Sequence, residues 1–265
     1  MNNYNFLLNQ VESRVTCFEK ITLQEMEDVK LMNRVDVKYL IPLHLLPAIL
    51  QDAQLHYKIL EVNQDRICPY ETLYYDTSDF SLYNNHQCGR TNRYKVRFRN
   101  YVNSNLSFFE IKFKNNKGRT IKTRIKQPTE ASITLNDESA DFLHQQTPLE
   151  ASSLRGNLWV KYRRITLVSK TTAERLTIDL NLTFENENQS KNFDDVVIAE
   201  IKQEQLSGSP IVEILKQYQL REGSISKYCL GIMSIFSNVK FNNFKPKYLY
   251  LQKILNQNCH VRTSF

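Results

Sequence analysis

Residues 93–114, RYKVRFRNYVNSNLSFFEIKFK, decide how the rest of this 265-residue chain folds. The stretch reads as a β-hairpin. Its first arm alternates Arg93, Lys95, Arg97 and Arg99 with Tyr94, Val96 and Phe98; its second alternates Glu110, Lys112 and Lys114 with Phe109, Ile111 and Phe113. Side chains on a strand point to opposite faces with a period of two, so each arm carries one apolar face and one charged face. The ordinary reading of such an arm is a half-buried hairpin with a solvated outer face. The sign of the charge argues against it, because like charges directly opposite one another across strands destabilise the pair. Four bases in succession on one face, facing further bases, require an anion.

The same pattern recurs on both sides of the hairpin. NRVDVKYLI sets Arg34, Asp36 and Lys38 against Val35, Val37 and Tyr39, and YETLYYD is an aromatic-rich strand. After a turn at Gly118, RTIKTRIKQ sets Lys122, Arg124 and Lys126 against Ile121 and Ile125. LWVKYRRITLV puts Tyr162 and Arg164 on one face. TAERLTIDLNLTF opposes Arg175, Thr177 and Asp179 to Leu176, Ile178, Leu180 and Leu182, and VVIAEIKQE opposes Glu200, Lys202 and Glu204 to Val197, Ala199 and Ile201. With the two hairpin arms, these make eight strands in mostly antiparallel succession.

Between them lie helix signals. Thr22 and Glu25 have capping-box spacing, with Leu23, Met26, Val29, Leu31 and Met32 on the buried side of a short helix behind a polar lead. Helices are predicted at 45–54, 79–88 (capped by Asp76 or Ser78), 136–145, 211–218 behind Ser209–Pro210, 227–237 behind Ser226, and 247–255. Residues 1–265 are expected to form a single domain, with a core at about 15–237 followed by a C-terminal helix and tail. Open sheets of eight strands tend to curl, and closure removes their edges. The expected fold is therefore α+β: an eight-stranded antiparallel β-barrel turned inside out, with a charged lumen and an apolar exterior packed under flanking helices.

Composition agrees with a polyanion partner. A formal charge of +7 and a pI near 9.0 favour nucleic acid, an anionic membrane or a phosphate-rich molecule. The five cysteines lack CxxC spacing, which points to free thiols in a reducing compartment and away from a disulfide framework or zinc site. The start lacks a secretory signal, and no stretch approaches the roughly 18 apolar residues of a membrane span, so a cytoplasmic protein is expected. A lumen of bases is unfavourable when empty and suits a polyphosphate, whose many oxygens engage several Lys and Arg at once. The few carboxylates among the bases, Asp36, Glu110, Asp179, Glu200 and Glu204, read as metal ligands or as structural ion pairs.

In order, RVDVKYLI, YYDTSDFSLYNN, NRYKVRFRNY, FFEIKFK, KYRR, RLTIDLNL, VIAEIK and SKYCLGI resemble the VTC domains, the polyphosphate polymerase-like branch of the triphosphate tunnel metalloenzymes (the CYTH superfamily). The resemblance covers about residues 15–237. It implies a tunnel in which bases grip the triphosphate of ATP or another nucleoside triphosphate. A divalent ion, manganese or magnesium, assists, and the γ-phosphoryl group passes to a growing inorganic polyphosphate chain. Carried over by motif, Arg97, Arg99, Lys112, Arg164 and Arg175 act on the donor phosphates. Lys38, Lys122 and Lys227, with Arg124 and Tyr162 beside them, bind substrate, and Glu200 with Glu110 is assigned to the metal. Either Arg163 or Arg164 follows Tyr162 into the tunnel; parity favours Arg164. Where the wider superfamily has two glutamates before the first-strand lysine, this chain has Arg34 and Asp36, which shifts metal binding toward Glu200.

Two classes of function remain open from the sequence. One is a phosphotransferase, or a triphosphatase if water attacks in place of a phosphate oxygen. The other is a polyanion-binding module without turnover. Nucleic acid is not expected as partner, because the aromatics lie mostly on the faces opposite the bases. A membrane-protein recipient for product leaves no trace in the sequence.

Overall fold

The computed structural model describes residues 3–28, 35–128, 130–203, 208–223 and 225–261. In chain order these form α1 (Asn3–Thr16), β1 (Lys20–Ile21), α2 (Leu23–Asp28), β2 (Val35–Pro42), α3 (Leu46–Ala53), β3 (Tyr57–Leu60), β4 (Cys68–Asp76) and α4 (Ser81–Gln87). Then follow β5 (Arg93–Tyr101), β6 (Leu106–Lys114), β7 (Thr120–Gln127), α5 (Asp137–Gln146), β8 (Arg155–Ser169), β9 (Glu174–Glu185), β10 (Ser190–Phe193) and β11 (Val196–Gln203). Three helices close the chain: α6 (Pro210–Gln217), α7 (Lys227–Ile235) and α8 (Lys245–Val261).

The eight expected strands form one continuous antiparallel path, β2-β11-β9-β8-β4-β5-β6-β7. The short strands β1, β3 and β10 are additions that periodicity could not reveal; β3 pairs with β8, and β1 lies parallel to β3. Among the described residues no hydrogen bonds join β2 to β7, so the path curls without closing as a ladder. Beside β2 the chain returns near Glu222, which bridges Tyr39, and the Gly223 amide donates to the Lys38 carbonyl.

Local chemistry explains the helix starts. Thr22 and Glu25 form the reciprocal capping box, the Glu25 carboxylate accepting from the Thr22 amide and hydroxyl while Thr22 Oγ1 accepts from the Glu25 amide. Asn136, Ser209 and Ser226 each accept an amide two or three residues into α5, α6 and α7. Asp76 reaches forward from the end of β4 to take the Leu82 and Tyr83 amides of α4. The polar lead is in fact α1, whose Val11 and Val15 are buried. Val29, Leu31, Met32, Arg34 and Glu204 lie outside the described residues.

The outer faces of the strands are apolar and, apart from exposed Val35 and Ile121 on the two end strands of the path, largely covered. Val37, Tyr39 and Ile41 of β2, Leu176, Ile178 and Leu180 of β9 and Val197, Ala199 and Ile201 of β11 pack with α1, α3 and α6. Val96, Phe98, Phe109 and Ile111 pack with Leu143 of α5. The inner face is not charged throughout. At one end Leu40, Leu158, Val160, Tyr162, Leu182, Phe184 and Ile198 form an apolar half that receives Tyr228, Leu230 and Ile232 of α7 and Leu251 of α8. So the helix at 227–237 does not cover the outside; it enters the barrel. A bulge at Asn181 (φ 55°) makes this fit by turning Leu182 and Phe184 inward, away from the face of Leu176, Ile178 and Leu180. Packing there is close: a Cβ on Gly231 would lie 2.5 Å from Leu158 Cδ2 and 2.6 Å from Phe184 Cδ1.

Candidate triphosphate site

The other half of the inner face is ionic, organised as three carboxylates each shared by two bases. Arg97 of β5 stands directly opposite Glu110 of β6 and donates through Nε at 2.7 Å, while Lys122 of β7 pairs with the second carboxylate oxygen. Arg164 of β8 faces Asp179 of β9 and grips it with two bonds of 2.6 and 2.8 Å; Lys227, at the start of α7, completes that group. Glu200 of β11 faces Lys38 of β2 at 3.7 Å and receives Lys202 at 3.0 Å. Glu110 and Asp179 are fully buried. Burial alone would raise both carboxyls, but Arg97, Arg99 and Lys122 hold Glu110 far below the ordinary range, and Arg164 with Lys227 hold Asp179 at about 2. Burial likewise works against ionised Glu200; Lys202 and Lys38 outweigh it and keep its carboxyl well below the usual value.

Three lumen bases lack such a partner among the described residues: Arg99, Lys112 and Lys95, the last donating to Ser226 Oγ at 3.0 Å. The Arg99 guanidinium, 8% exposed, donates to Thr72 Oγ1 at 3.3 Å and has no carboxylate in contact among the described residues. Lys112 stands in register between Lys95 on β5 and Lys122 on β7 and has no carboxylate in contact either. The nearby Arg97 charge, burial and Arg99 push the Lys112 amine well below the ordinary lysine value. Opposing them, Glu200 favours the charged amine, although β11 and β6 lie five steps apart along the sheet path. That coupling across the sheet is what convergence on one lumen means. The Tyr162 ring stacks on Tyr70, with Arg164 and Lys227 at 5.2 and 5.1 Å from its centre, and its buried hydroxyl has no hydrogen-bond partner among the described residues.

Two surface cavities near the ends of β5 share lining residues with the ionic group, Lys38 and Lys95 in one and Arg164 and Lys202 in the other. One, of 780 Å³, opens beside α7 and is bordered by Lys38, Arg93, Lys95 and Lys114. The other, of 300 Å³, is bordered by Tyr70, Tyr101, Arg164, Arg175 and Lys202. Arg175 and Arg124 belong to this second mouth and not to the central group: Arg175 Nη2 donates to the Met26 carbonyl of α2, and exposed Arg124 lies 4.3 Å over the Phe108 ring. Arg163 turns outward to Glu12 of α1.

The sequence places Lys95 and Lys202 on charged strand faces without assigning either a role. Both are in the lumen, Lys95 donating to Ser226 Oγ at 3.0 Å. Sequence reasoning also passed over Thr72 and Tyr74, which touch Arg99 and Arg97. Their parity with Tyr70 on β4 was the available signal.

Among the described residues no group of three or more His, Cys, Asp or Glu converges as a metal centre, and Glu110 has both oxygens engaged by Arg97 and Lys122. Glu200 is held less closely, Lys202 reaching one oxygen at 3.0 Å and Lys38 the other only at 3.7 Å, beyond hydrogen-bond range, so it is the one of the three lumen carboxylates that can supply a hard carboxylate oxygen. That donor set fits a magnesium- or manganese-like ion held jointly by one carboxylate and substrate phosphates, not a self-sufficient protein cage.

Residues 33–236 match the sequence profile of the VTC domain. The chain belongs to the VTC domain family. Comparison with curated protein sequences finds no match. Among solved structures, a candidate adenylate cyclase from Bacillus halodurans is similar at a TM-score of 0.52 with 14% identity, covering 77% of this chain and 98% of the other. This VTC domain therefore shares that protein's fold. A candidate adenylyl cyclase from Hippeastrum, described as having a dominant triphosphatase activity, aligns over 77% of this chain and 96% of its own at 13% identity and a TM-score of 0.44. The PH1819 protein of Pyrococcus horikoshii aligns over 76% and 96% at 14% identity and a TM-score of 0.44.

Proposed function

We propose that this VTC domain is a metal-dependent phosphotransferase that takes the γ-phosphoryl group of ATP, or another nucleoside triphosphate, onto an inorganic polyphosphate chain. The observation that carries the reading is the set of cations without a carboxylate partner among the described residues, Arg99, Lys112 and Lys95, inside a lumen whose carboxylates are each already shared by two other bases. Unpaired charge away from water is costly, and a ligand with several anionic oxygens relieves it. The unpartnered Tyr162 hydroxyl adds a waiting donor. An open nucleic-acid surface would instead present its bases to solvent beside stacking rings.

In the proposed reaction a terminal oxygen of the acceptor chain attacks the γ-phosphorus, a new P–O bond forms in line, and the bridging bond to the β-phosphate breaks to release the nucleoside diphosphate. The attacking oxygen is already ionised, so no general base is needed. Arg97, Arg99, Lys112 and Arg164 hold the donor phosphates and neutralise charge on the equatorial oxygens, which is most of what phosphoryl transfer asks of a protein. Lys38, Lys122 and Lys227 guide the acceptor, and Arg175 with Arg124 contacts phosphates at the second mouth. Glu200 holds the divalent ion, which when bound supplies further neutralisation of the phosphate oxygens. Glu110 serves as counter-ion and anchor for Arg97 and Lys122, not as a metal ligand. We place the protein in the cytoplasm, in keeping with the free thiols at Cys17, Cys68, Cys88 and Cys229. No helix among the described residues is long and apolar enough to cross a membrane.

The test is incubation with ATP and manganese, with assay of both free phosphate and long-chain polyphosphate. Polyphosphate accumulation is expected. Free phosphate without chains would make the site a triphosphatase, and nucleotide binding with neither product would leave a polyanion-binding module.

A further inference from the structure

We propose that α8 is a docking surface for an anionic lipid bilayer. From residue 223 to the end of the sequence there is no Asp or Glu, whereas Lys227, Lys240, Lys245, Lys247, Lys253 and Arg262 all fall there. The structure divides these bases between two tasks. Lys227 turns into the lumen, while Lys240, Lys245 and Lys253 are exposed.

The helix itself has two clean sides. At 100° per residue, Lys245, Leu249, Lys253, Pro246 and Tyr250 succeed one another around an arc of about 140°. All five are exposed, Leu249 at 57% and Tyr250 at 43%. Among the residues whose side chains are described, Ile254, Lys247, Leu251, Leu255 and Tyr248 turn toward the protein, with Leu251 and Ile254 fully inside the core that α7 shares and half-buried Gln252 at the boundary beside Lys245. Exposed Phe241, whose ring lies 6.0 Å from that of Tyr248, extends the outer arc toward Lys240. A leucine and two aromatics ringed by lysines, with no acid in the segment, match the chemistry of helices that lie in a bilayer interface: the apolar groups enter the headgroup–acyl boundary and the lysines meet lipid phosphates. An exposed leucine contributes nothing to a nucleic acid, and a second copy of this basic arc would be repelled. Charge complementarity therefore selects the anionic bilayer.

The experiment is co-sedimentation of the full chain with phosphatidylcholine vesicles and with vesicles that also contain phosphatidylserine, at low and high salt. The expected result is binding to the anionic vesicles alone, released by salt. Each lysine near such a surface contributes about 1 kcal/mol, so Lys245→Ala with Lys253→Ala lowers the partition coefficient about 30-fold. Leu249→Ser with Tyr250→Ser also weakens it, and neither pair changes triphosphate binding, which separates this surface from the tunnel. Vesicle binding that is unchanged in both double variants would assign the attraction to the tunnel mouths and overturn the proposal. So would variants that lose RNA binding or self-association while keeping their lipid affinity, or a wild-type chain that ignores anionic vesicles.

Discussion

Replacing Glu110 by Gln separates the cost of the empty site from its purpose. Glu110 is fully buried, and its two oxygens engage Arg97 and Lys122, with Arg99 also acting on it electrostatically. The amide keeps the shape and removes the charge, leaving those cations uncompensated. Breaking a buried pair by removing one partner costs about 3–5 kcal/mol. For a chain of this size that corresponds to a Tm lowered by roughly 6–20 °C. The same change makes the lumen more positive, so inorganic triphosphate binds the variant more tightly than the wild type. A ligand at a hundred times its Kd stabilises by about 2.7 kcal/mol, and at equal triphosphate the variant regains more stability than the wild type gains. Differential scanning fluorimetry with and without triphosphate reads both effects. A variant with unchanged Tm, or one that triphosphate rescues less than it stabilises the wild type, would refute the assignment of Glu110 as counter-ion in a polyanion site.

Arg99→Met should act in the opposite sense: no loss of Tm without ligand, because an unmatched buried charge is gone, but triphosphate affinity reduced by on the order of 1.5–3 kcal/mol in isothermal titration. A large destabilisation without ligand would mean that Arg99 is a structural residue. Glu200→Gln should abolish metal-dependent turnover while the circular dichroism spectrum is retained; full activity in that variant removes the metal role. Because the native Lys112 amine titrates below its unfolded value, the unfolded chain binds more protons between the two values, so stability rises with pH there and triphosphate binding takes up a proton. Titration calorimetry above the phosphate titration range, in buffers of different ionisation enthalpy, should show less uptake in Lys112→Met, and equal uptake counts against this linkage. Gly231→Ala overpacks α7 against Leu158 and Phe184 and should cost about 1–3 kcal/mol in urea unfolding.

The eight long strands were legible because hydrophobic periodicity is strong over eight or more residues, and the helix caps because Thr22, Ser209 and Ser226 act locally; Asn136, read as part of its helix, is instead the cap. What escaped depends on partners distant in sequence. β1 and β3 are too short to show a period and exist by pairing with each other and with β8. The β9 part of the apolar half, Leu182 and Phe184, escaped because a bulge at Asn181 reverses the strand's parity, and alternation cannot reveal an inserted residue; Leu40, Val160 and Ile198 simply continue the parity of Lys38, Arg164 and Glu200. At the site, parity identified which side chains share a face. It could not distinguish Arg175, tied to α2 at a mouth, from Arg99 in the lumen, since both simply alternate with apolar neighbours. Nor could it tell that Lys202 and Lys95 were inside, because that depends on how the sheet curls.

The sharing of each lumen carboxylate between two bases has a consequence for ionic strength. A guest entering this site does not meet a bare cloud of like charges; it takes over contacts that Glu110, Asp179 and Glu200 already make, and among the lumen bases Arg99, Lys112 and Lys95 gain a counter-charge for the first time. Most of the binding is then an exchange of partners away from bulk water, where added salt reaches poorly. The affinity for short polyphosphates should therefore decline with sodium chloride far less steeply than the number of lysines and arginines in the channel would imply.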